Sequence, residues 1–175
     1  MFTFTKKADY ALLALSFLAT EGAGRLVGPR EIAVRYEIPA ELCAKVMQTL
    51  AKKSLVASVP GPTGGYRLGR TPEAISVAEV VEAIDGALAI AQCWEPEHGP
   101  AHCAQSAHCT IRGPLERIQI GMVALLRATT LADVCAPTET LPPPRLFAEG
   151  ARLTMLGDAN RDDTYRSDTL EHRKN

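Results

Sequence analysis

One stretch of this 175-residue chain, from Pro29 to about residue 54, constrains the fold more than any other. Pro29 stands where a helix can begin at no cost, because the first N–H groups of a helix have no intrahelical acceptor. A second proline, Pro39, interrupts the chain before the segment AELCAKVMQTLAKKS, whose outer face is basic. Two short helices separated by so tight a break predict a helix-turn-helix.

A β-hairpin is predicted directly after these helices. The segments LVASV (55–59) and YRLGR (66–70) are predicted as strands, and PGPTGG connects them. Gly64-Gly65 is expected to supply the positive φ angles that a tight hairpin needs. A hairpin in this position is the wing of a winged helix-turn-helix, and Tyr66 is expected to pack within it.

Two further helices flank this unit. Residues 5–20 repeat apolar side chains every three or four positions, and Thr5 is the candidate N-cap. Residues 76–86 begin with a capping box, in which Ser76 and Glu79 satisfy each other's backbone N–H groups, and end at a glycine. Both patterns predict amphipathic helices.

A longer apolar helix is predicted from about Leu115 to Asp133. Its apolar stripe has to be buried against something, and a second copy of the same helix is the simplest partner. The predicted fold class is therefore mainly α (α+β), an N-terminal winged helix-turn-helix plus a long C-terminal dimerisation helix. The predicted parts are a winged helix-turn-helix domain over 1–86, a cysteine-rich loop over 87–112, a dimerisation helix over 113–135 and a disordered Pro-rich and polar tail over 136–175.

Charge is unevenly distributed along the chain. Residues 1–70 carry ten Lys and Arg against five Asp and Glu, whereas the remainder is acidic and the net charge is −1. A basic first half is typical of a head that binds double-stranded DNA. No apolar run reaches the roughly 18 residues of a membrane span, and Asp9 and Glu21 interrupt the apolar N-terminus. We therefore expect a cytoplasmic protein without a membrane partner, and no phosphate loop or nucleophile–base pair indicates an enzyme.

The second helix of the helix-turn-helix offers an outer face to DNA. Its periodicity directs Leu42, Val46 and Leu50 inward, together with Cys43. The residues expected to approach base edges are Ala40, Glu41, Ala44 and Lys45, with Gln48 on the same face; Lys6, Lys7, Lys52 and Lys53 are expected to meet phosphates, and Arg67 and Arg70 extend the basic surface onto the wing.

Three cysteines follow the winged unit in one polar segment. Cys93, Cys103 and Cys109 have the spacing C-x9-C-x5-C, with three histidines nearby: His98, His102 and His108. Thiolates this close along the chain can converge on one soft metal centre. The donor set suits an iron–sulfur cluster or tetrahedral Zn²⁺ equally well.

The other two cysteines are not expected to be ligands. Cys43 occupies a helical position consistent with burial, and Cys135 follows the long helix as an exposed thiol without an evident role. Five cysteines are an odd number for a disulfide framework, and in a reducing cytosol clustered cysteines more often serve metal or redox chemistry.

Several segments, in order, resemble a known family. They are TKKADYALLAL, IAVRYEIP, LAKKSLVASVPGPTGGYRLGR and ISVAEVVEAIDG, followed by the three cysteines. Over about residues 1–133 the chain resembles the winged-helix transcription regulators related to the iron–sulfur cluster regulator IscR, the nitric oxide sensor NsrR and the iron regulator RirA. The resemblance implies a homodimer and an iron–sulfur cluster, [2Fe-2S] or [4Fe-4S], ligated by Cys93, Cys103 and Cys109. The family also has members without a cluster.

The resemblance also bears on a fourth ligand. Some relatives use a histidine three positions after the third cysteine, where this chain has Arg112. Others use an acidic residue in the first helix of the partner subunit, and Asp9 stands at the matching position. His108 and His102 remain alternatives.

Two departures from the family pattern are evident. Pro60 stands before the first wing glycine, where the family often has a basic residue. Either Arg67 or Arg70 supplies that charge, or the DNA sequence that is read differs. The nine residues between the first two cysteines also make a wider spacing than the family's, an excursion that Pro96, Gly99 and Pro100 can absorb.

Three hypotheses follow. The first is a homodimeric DNA-binding transcription regulator whose DNA affinity is controlled by a cluster that senses nitric oxide, redox state or iron supply. The second is a cluster-free regulator that uses its thiols or zinc as a redox sensor. The third is a protein-interaction winged-helix module that binds through the helix over 115–133 and lacks specific DNA binding.

Overall fold

The computed structural model describes residues 3–94 and 103–137 of the chain. A two-stranded antiparallel sheet accompanies a set of helices, so the predicted class, mainly α with a small sheet, is confirmed. His98, His102 and the predicted tail beyond residue 137 lie outside the described residues. In chain order the elements are α1 (Lys6–Ala19), α2 (Pro29–Arg35), α3 (Ala40–Lys52), β1 (Val56–Val59), β2 (Gly65–Leu68), α4 (Val77–Asp85), α5 (Arg112–Ala128) and α6 (Leu131–Cys135), with 3₁₀ turns at Pro72–Ala74, Gln92–Trp94 and Ser106–His108.

One apolar core supports the helix-turn-helix. Helices α1, α2 and α3 contribute Leu15, Ile32 and Leu50, each of which is fully buried. As predicted, Thr5 caps α1, its hydroxyl oxygen accepting a hydrogen bond from the Ala8 N–H at 3.3 Å. The core therefore fixes three helices against one another and leaves their outer faces to solvent.

The turn between α2 and α3 is as tight as the sequence predicts. Glu37 takes a positive φ of 53°, and the Ile38 N–H donates to the Ala33 carbonyl oxygen at 2.9 Å. The chain thereby reverses within a few residues, and α3 begins at Ala40. The predicted helix-turn-helix is confirmed.

The wing needs its paired glycines for a different reason from the predicted one. Neither Gly64 nor Gly65 has a positive φ, whereas Gly61 does, at 116°. A Cβ on Gly64 would lie 2.1 Å from a backbone oxygen across the turn, and a Cβ on Gly65 would lie 2.8 Å from the Val27 carbonyl oxygen. Val27 is that close because it forms a two-way backbone pair with Tyr66, at 2.9 Å in both directions. The prediction of positive φ at Gly64-Gly65 is wrong; close backbone approach excludes side chains there.

The start of α4 is joined to the end of the wing. The predicted capping box is present: the Ser76 N–H donates to Glu79 Oε2 at 3.0 Å, and the Glu79 N–H donates to Ser76 Oγ at 3.2 Å. Arg70 donates from Nη2 to Glu79 Oε1 at 2.9 Å and from Nη1 to the Ala74 carbonyl oxygen at 3.0 Å. The hydrogen bond from the Ser76 backbone, and after it the Arg70 guanidinium, hold the pKa of Glu79 below its ordinary value.

We expect Glu79→Gln to flatten the pH dependence of stability in the acid range. A glutamate with a lowered folded-state pKa stabilises the fold above its unfolded pKa, and that contribution is lost as the pH falls through the folded pKa. Glutamine keeps a capping side chain but carries no charge to titrate. Urea unfolding at a series of pH values measures the difference, with exposed Glu73→Gln as the matched control. Parallel pH profiles for the wild type and Glu79→Gln would contradict the prediction.

The predicted helix over 115–133 is divided into α5 and α6. At Thr129 the chain becomes extended, and the Thr129 carbonyl oxygen accepts from the Val77 N–H at 2.9 Å. The Leu131 N–H then donates to the Ile75 carbonyl oxygen at 2.8 Å, and the Leu131 side chain is only 1% exposed. These bonds to the start of α4, together with burial of Leu131, favour a break over a continuous helix. The single-helix expectation is corrected: α6 docks on the winged head.

Helix α5 has no fully buried residue. It packs on α4 along one face, where Leu126 contacts the small apolar cluster formed by α1 and α4. On its other sides Ile118 and Ile120 are 58% and 55% exposed, and Ile111, just before the helix, is 62% exposed. Within the described residues, these large apolar side chains thus remain exposed.

Candidate DNA-binding face and cysteine segment

The outer face of α3 is exposed along its length, as predicted. Its inner face buries Cys43, Val46 and Leu50, and Leu42 is half-buried against the same core. The lysines of this face make no ion pair with any described residue, so their charges point to solvent. Of the positions expected to face DNA, Ala40, Glu41, Lys45, Gln48, Lys52 and Lys53 are exposed, and Ala44 is half-buried.

The two wing arginines have different surroundings. Arg67 is exposed on β2 and forms no ion pair within the described part of the chain. Arg70 is already held by Glu79 and the Ala74 carbonyl, which makes it a link within the head. Lys6 and Lys7 are exposed in the first turn of α1. Arg67 is therefore the wing cation that is available to an external phosphate.

The three clustered cysteines lie on two stretches of chain between α4 and α5. Cys93 is inside the 3₁₀ turn Gln92–Trp94, and Cys103 and Cys109 flank the turn Ser106–His108. All three are free thiols that are partly exposed. Among residues 3–94 and 103–137, no three His, Cys, Asp or Glu side chains lie together as a metal-binding group. In the described residues the three thiols are accessible, but they do not converge on a common metal position.

The candidate fourth ligands are dispersed. Asp9 is exposed in the first turn of α1, and its carboxylate makes no ion pair or hydrogen bond with a described side chain. His108 is exposed at the end of its 3₁₀ turn, and Arg112 is the first residue of α5. The assignment of a fourth ligand stays a prediction.

The remaining cysteines are both packed. Cys43 is 1% exposed, and burial raises the pKa of its thiol, which keeps it protonated and unreactive. Cys135 packs against the main core, and its Sγ lies 3.4 Å from the Ser16 hydroxyl oxygen. The expectation of an exposed thiol holds only in part: Cys135 is half-buried, as the three clustered cysteines are, because α6 docks it on the head.

A residue that the sequence analysis did not single out anchors the chain before Cys93. Gln119 of α5 accepts at Oε1 from the Ile90 N–H at 2.9 Å, and its Nε2 donates to the Leu88 carbonyl oxygen. The available signal was a lone amide side chain between Ile118 and Ile120, in an otherwise apolar part of the helix.

The chemistry of the clustered donors fits an iron–sulfur cluster. Three thiols that are free, partly exposed and unpaired in disulfides can deprotonate and act as soft ligands. The same set also fits zinc. Buried Cys43 does not fit, because it has neither the exposure nor the thiolate character.

Fold and site together define a class of protein. A winged helix-turn-helix with an unpaired basic face on its second helix is the architecture of a DNA-binding transcription regulator. The family model of Rrf2, described as an iron-dependent transcriptional regulator, matches residues 4–137. The chain belongs to the Rrf2 family, and it is a transcriptional regulator, not an enzyme.

Individual relatives agree with this placement. The HTH-type transcriptional regulator NsrR of Bacillus licheniformis is 32% identical over 130 residues, which are 74% of this chain and 90% of that protein. Two solved structures share the fold at a TM-score of 0.60: CymR, the global cysteine regulator of B. subtilis (23% identity, 77% of this chain, 97% of that one), and T. potens IscR (22% identity, 84% and 97%).

Within residues 3–94 and 103–137, no helix combines the length and the apolar character needed to cross a bilayer.

Proposed function

We propose that this protein is a cytoplasmic, homodimeric transcription regulator whose affinity for operator DNA is controlled by an iron–sulfur cluster. Cys93, Cys103 and Cys109 are the proposed ligands, and Asp9 of the partner subunit is the proposed fourth. The observation that carries the proposal is the set of three free, partly exposed thiols between the winged head and α5. Similarity to NsrR of Bacillus licheniformis supports it. Nitric oxide, redox state or iron supply is the proposed signal.

DNA binding is assigned to α3 and the wing. The N-terminal part of α3, around Glu41 and Lys45, would enter the major groove, with Lys52 and Lys53 on phosphates. Arg67 would meet the backbone or the minor groove from the wing, because Pro60 has no charge to offer. In a dimer, two such helices read half-sites about 34–36 Å apart, so small changes in their separation alter affinity strongly.

Dimerisation is assigned to α5. The exposed apolar side chains Ile111, Ile118 and Ile120 are the kind of surface that a second copy of the helix covers. Leu126, which lies about 80° from Ile118 and about 120° from Ile120 around the helix axis, holds another side of α5 on the head. One helix thus contacts both the winged head and the proposed partner.

The cysteine segment is connected to the winged head through the end of α4 and the start of α1. Thr5, the N-cap of α1, donates to Asp85 Oδ1 at 2.5 Å, so the start of α1 is tied to the end of α4. The chain that leaves α4 at Gly86 lines a cleft of about 270 Å³ against this junction. When bound, a cluster supplies a redox-active, thiolate-held iron centre. Movement of the residues around Cys93 would act on both helices and, through their packing on α3, on DNA affinity.

The first test is metal content after purification without oxygen. We expect iron with matching acid-labile sulfide and a visible spectrum, and loss of both in the Cys93→Ala/Cys103→Ala/Cys109→Ala variant. A Cys135→Ala variant is the matched control, since that thiol is packed on the head. On a duplex selected from a random pool, the loaded and metal-free wild type are expected to differ in affinity by about 5–150-fold, the usual range of such coupling.

Other outcomes would contradict the proposal. Stoichiometric zinc without sulfide would make the segment a zinc site. Neither metal, after attempted cluster reconstitution, would remove the cluster from the mechanism altogether. Equal DNA affinity of the loaded and metal-free wild type would show that the cluster does not control binding.

A cluster-free thiol sensor is the second candidate function. The observation that favours it is that the three free thiols are partly exposed but do not form a metal-binding group in the described residues. It predicts metal-free protein whose DNA affinity changes with peroxide and recovers with a dithiol. Loss of that response in the triple-cysteine variant, with retention in Cys135→Ala, would support it.

A further inference from the structure

We propose that Gln119 is a positioning residue that fixes the chain immediately before Cys93 to α5. The assignment of a sensing role to Cys93 rests on the proposed function above, whereas the contacts of Gln119 do not depend on it. The consequence is that a displacement at Cys93 is passed to α5, the helix assigned to dimerisation.

Both polar atoms of the Gln119 amide are used. Oε1 accepts from the Ile90 N–H at 2.9 Å, and Nε2 donates to the Leu88 carbonyl oxygen. Gln119 lies seven residues, or about two helical turns, before Leu126. Because Leu126 packs on the cluster formed by α1 and α4, the two side chains share the face of α5 that is turned toward the head.

The segment held by Gln119 is gripped from a second side. The Leu88 side chain packs against the cluster of Ala8, Val77 and Val81, while its carbonyl oxygen is bonded to α5. Side chain and backbone of one residue thus connect the head to α5. Residues 88–90 form a bridge between these two bodies.

Only a short length of chain separates this bridge from Cys93. Cys93 follows Ile90 by three residues, which span at most about 10–11 Å even when fully extended. Here they are shortened further by the 3₁₀ turn, in which the Trp94 N–H donates to the Ala91 carbonyl oxygen at 3.0 Å. A displacement of Cys93 therefore strains the two hydrogen bonds that Gln119 makes to residues 88 and 90.

The chemistry of the site selects an amide. The glutamine amide offers an acceptor oxygen to the Ile90 N–H and a donor N–H to the Leu88 carbonyl from two separate atoms at once. A carboxylate keeps the acceptor but repels the carbonyl oxygen, and an apolar side chain leaves both backbone groups without this partner. Gln119→Met therefore removes both hydrogen bonds. Gln119→Glu removes only the bond to the Leu88 carbonyl oxygen. Both changes keep the side-chain length nearly constant.

The positioning role can be tested in the metal-free protein. In Gln119→Met we expect amide hydrogen exchange at Ile90 to be about tenfold faster, the effect of losing one hydrogen bond. Alkylation of Cys93 by iodoacetamide, followed by mass spectrometry, is expected to accelerate several-fold while Cys135 is unchanged. Gln119→Glu should keep the Ile90 protection. Glu116→Met, which places the same side chain at an exposed position of α5, is the matched control.

A second measurement addresses the consequence for α5. Gln119→Met is expected to take up as much iron as the wild type, while the ratio of DNA affinities of loaded and metal-free protein falls toward one. An unchanged ratio would overturn the transmission through Gln119. Wild-type rates of Ile90 exchange and Cys93 alkylation in Gln119→Met would overturn the positioning role. If the wild type takes up no iron, the proposed function fails, and the exchange and alkylation rates still decide whether Gln119 positions Cys93.

Discussion

The Leu15→Ala variant is expected to lose about 2–5 kcal/mol of folding free energy, because truncation leaves a cavity that the surroundings fill only partly. Leu15 is 0% exposed and belongs to the core cluster that also holds Ile32, Leu50 and Leu131. These residues come from α2, α3 and α6, so the loss weakens the packing of the whole head. Urea unfolding of the full-length protein, followed by circular dichroism, measures it.

Leu13 provides the control within the same helix. It lies two residues away and is 38% exposed, so Leu13→Ala removes the same atoms from a site already in contact with water. We expect a loss of less than about 1 kcal/mol there. Equal losses of folding free energy in Leu15→Ala and Leu13→Ala would mean that α1 does not bury the face that carries Leu15.

Combined replacement of Lys45, Lys52 and Lys53 by alanine is expected to weaken binding to the selected duplex by about tenfold or more. Each phosphate contact removed should also make the dependence of log affinity on log salt shallower by about 0.9. The physical reason is that these exposed ammonium groups make no ion pair with described residues and can displace counterions from DNA. Fluorescence anisotropy at several salt concentrations gives both quantities.

Arg127→Ala removes one positive charge from α5 instead of α3 and serves as the control. Arg127 lies on α5 and is 64% exposed, with a long surface pair of 3.5 Å to Glu82. Such a pair contributes little to stability, and we expect the salt dependence of DNA binding to stay as in the wild type. A triple-lysine variant with an unchanged salt slope, and unfolding like that of the wild type, would exclude α3 as the phosphate-binding face.

Signals that act over a few residues were predictable from the sequence. The cap at Thr5, the proline that opens α2, the capping box of Ser76 and Glu79, and the end of α4 before Gly86 are all found where expected. Each depends on hydrogen bonds or backbone preferences within about one helical turn. Local patterns of this kind survive folding because tertiary contacts reinforce them.

The end of α5 shows why other features were missed. Apolar residues continue at helical spacing across Thr129, so periodicity alone predicts one helix. The sequence also contains a capping box, Thr130 with Asp133, that marks a new helix start. The new helix start prevails over the continued periodicity because the Leu131 side chain is buried in the core and its N–H donates to the Ile75 carbonyl oxygen.

By itself, the sequence determined the winged helix-turn-helix, the basic outer face of α3 and the three-thiol donor set, because residue type and short-range spacing decide those features. Only the tertiary structure decided that the Val27 backbone packs so closely on Gly65 that no side chain fits there. The same holds for the ion pair between Arg70 and Glu79. It also holds for the hydrogen bonds by which Gln119 joins α5 to the chain before Cys93. These contacts join residues that are 38, 9 and 29 positions apart in the sequence. They form only when the core brings those segments together, so no local sequence pattern encodes them.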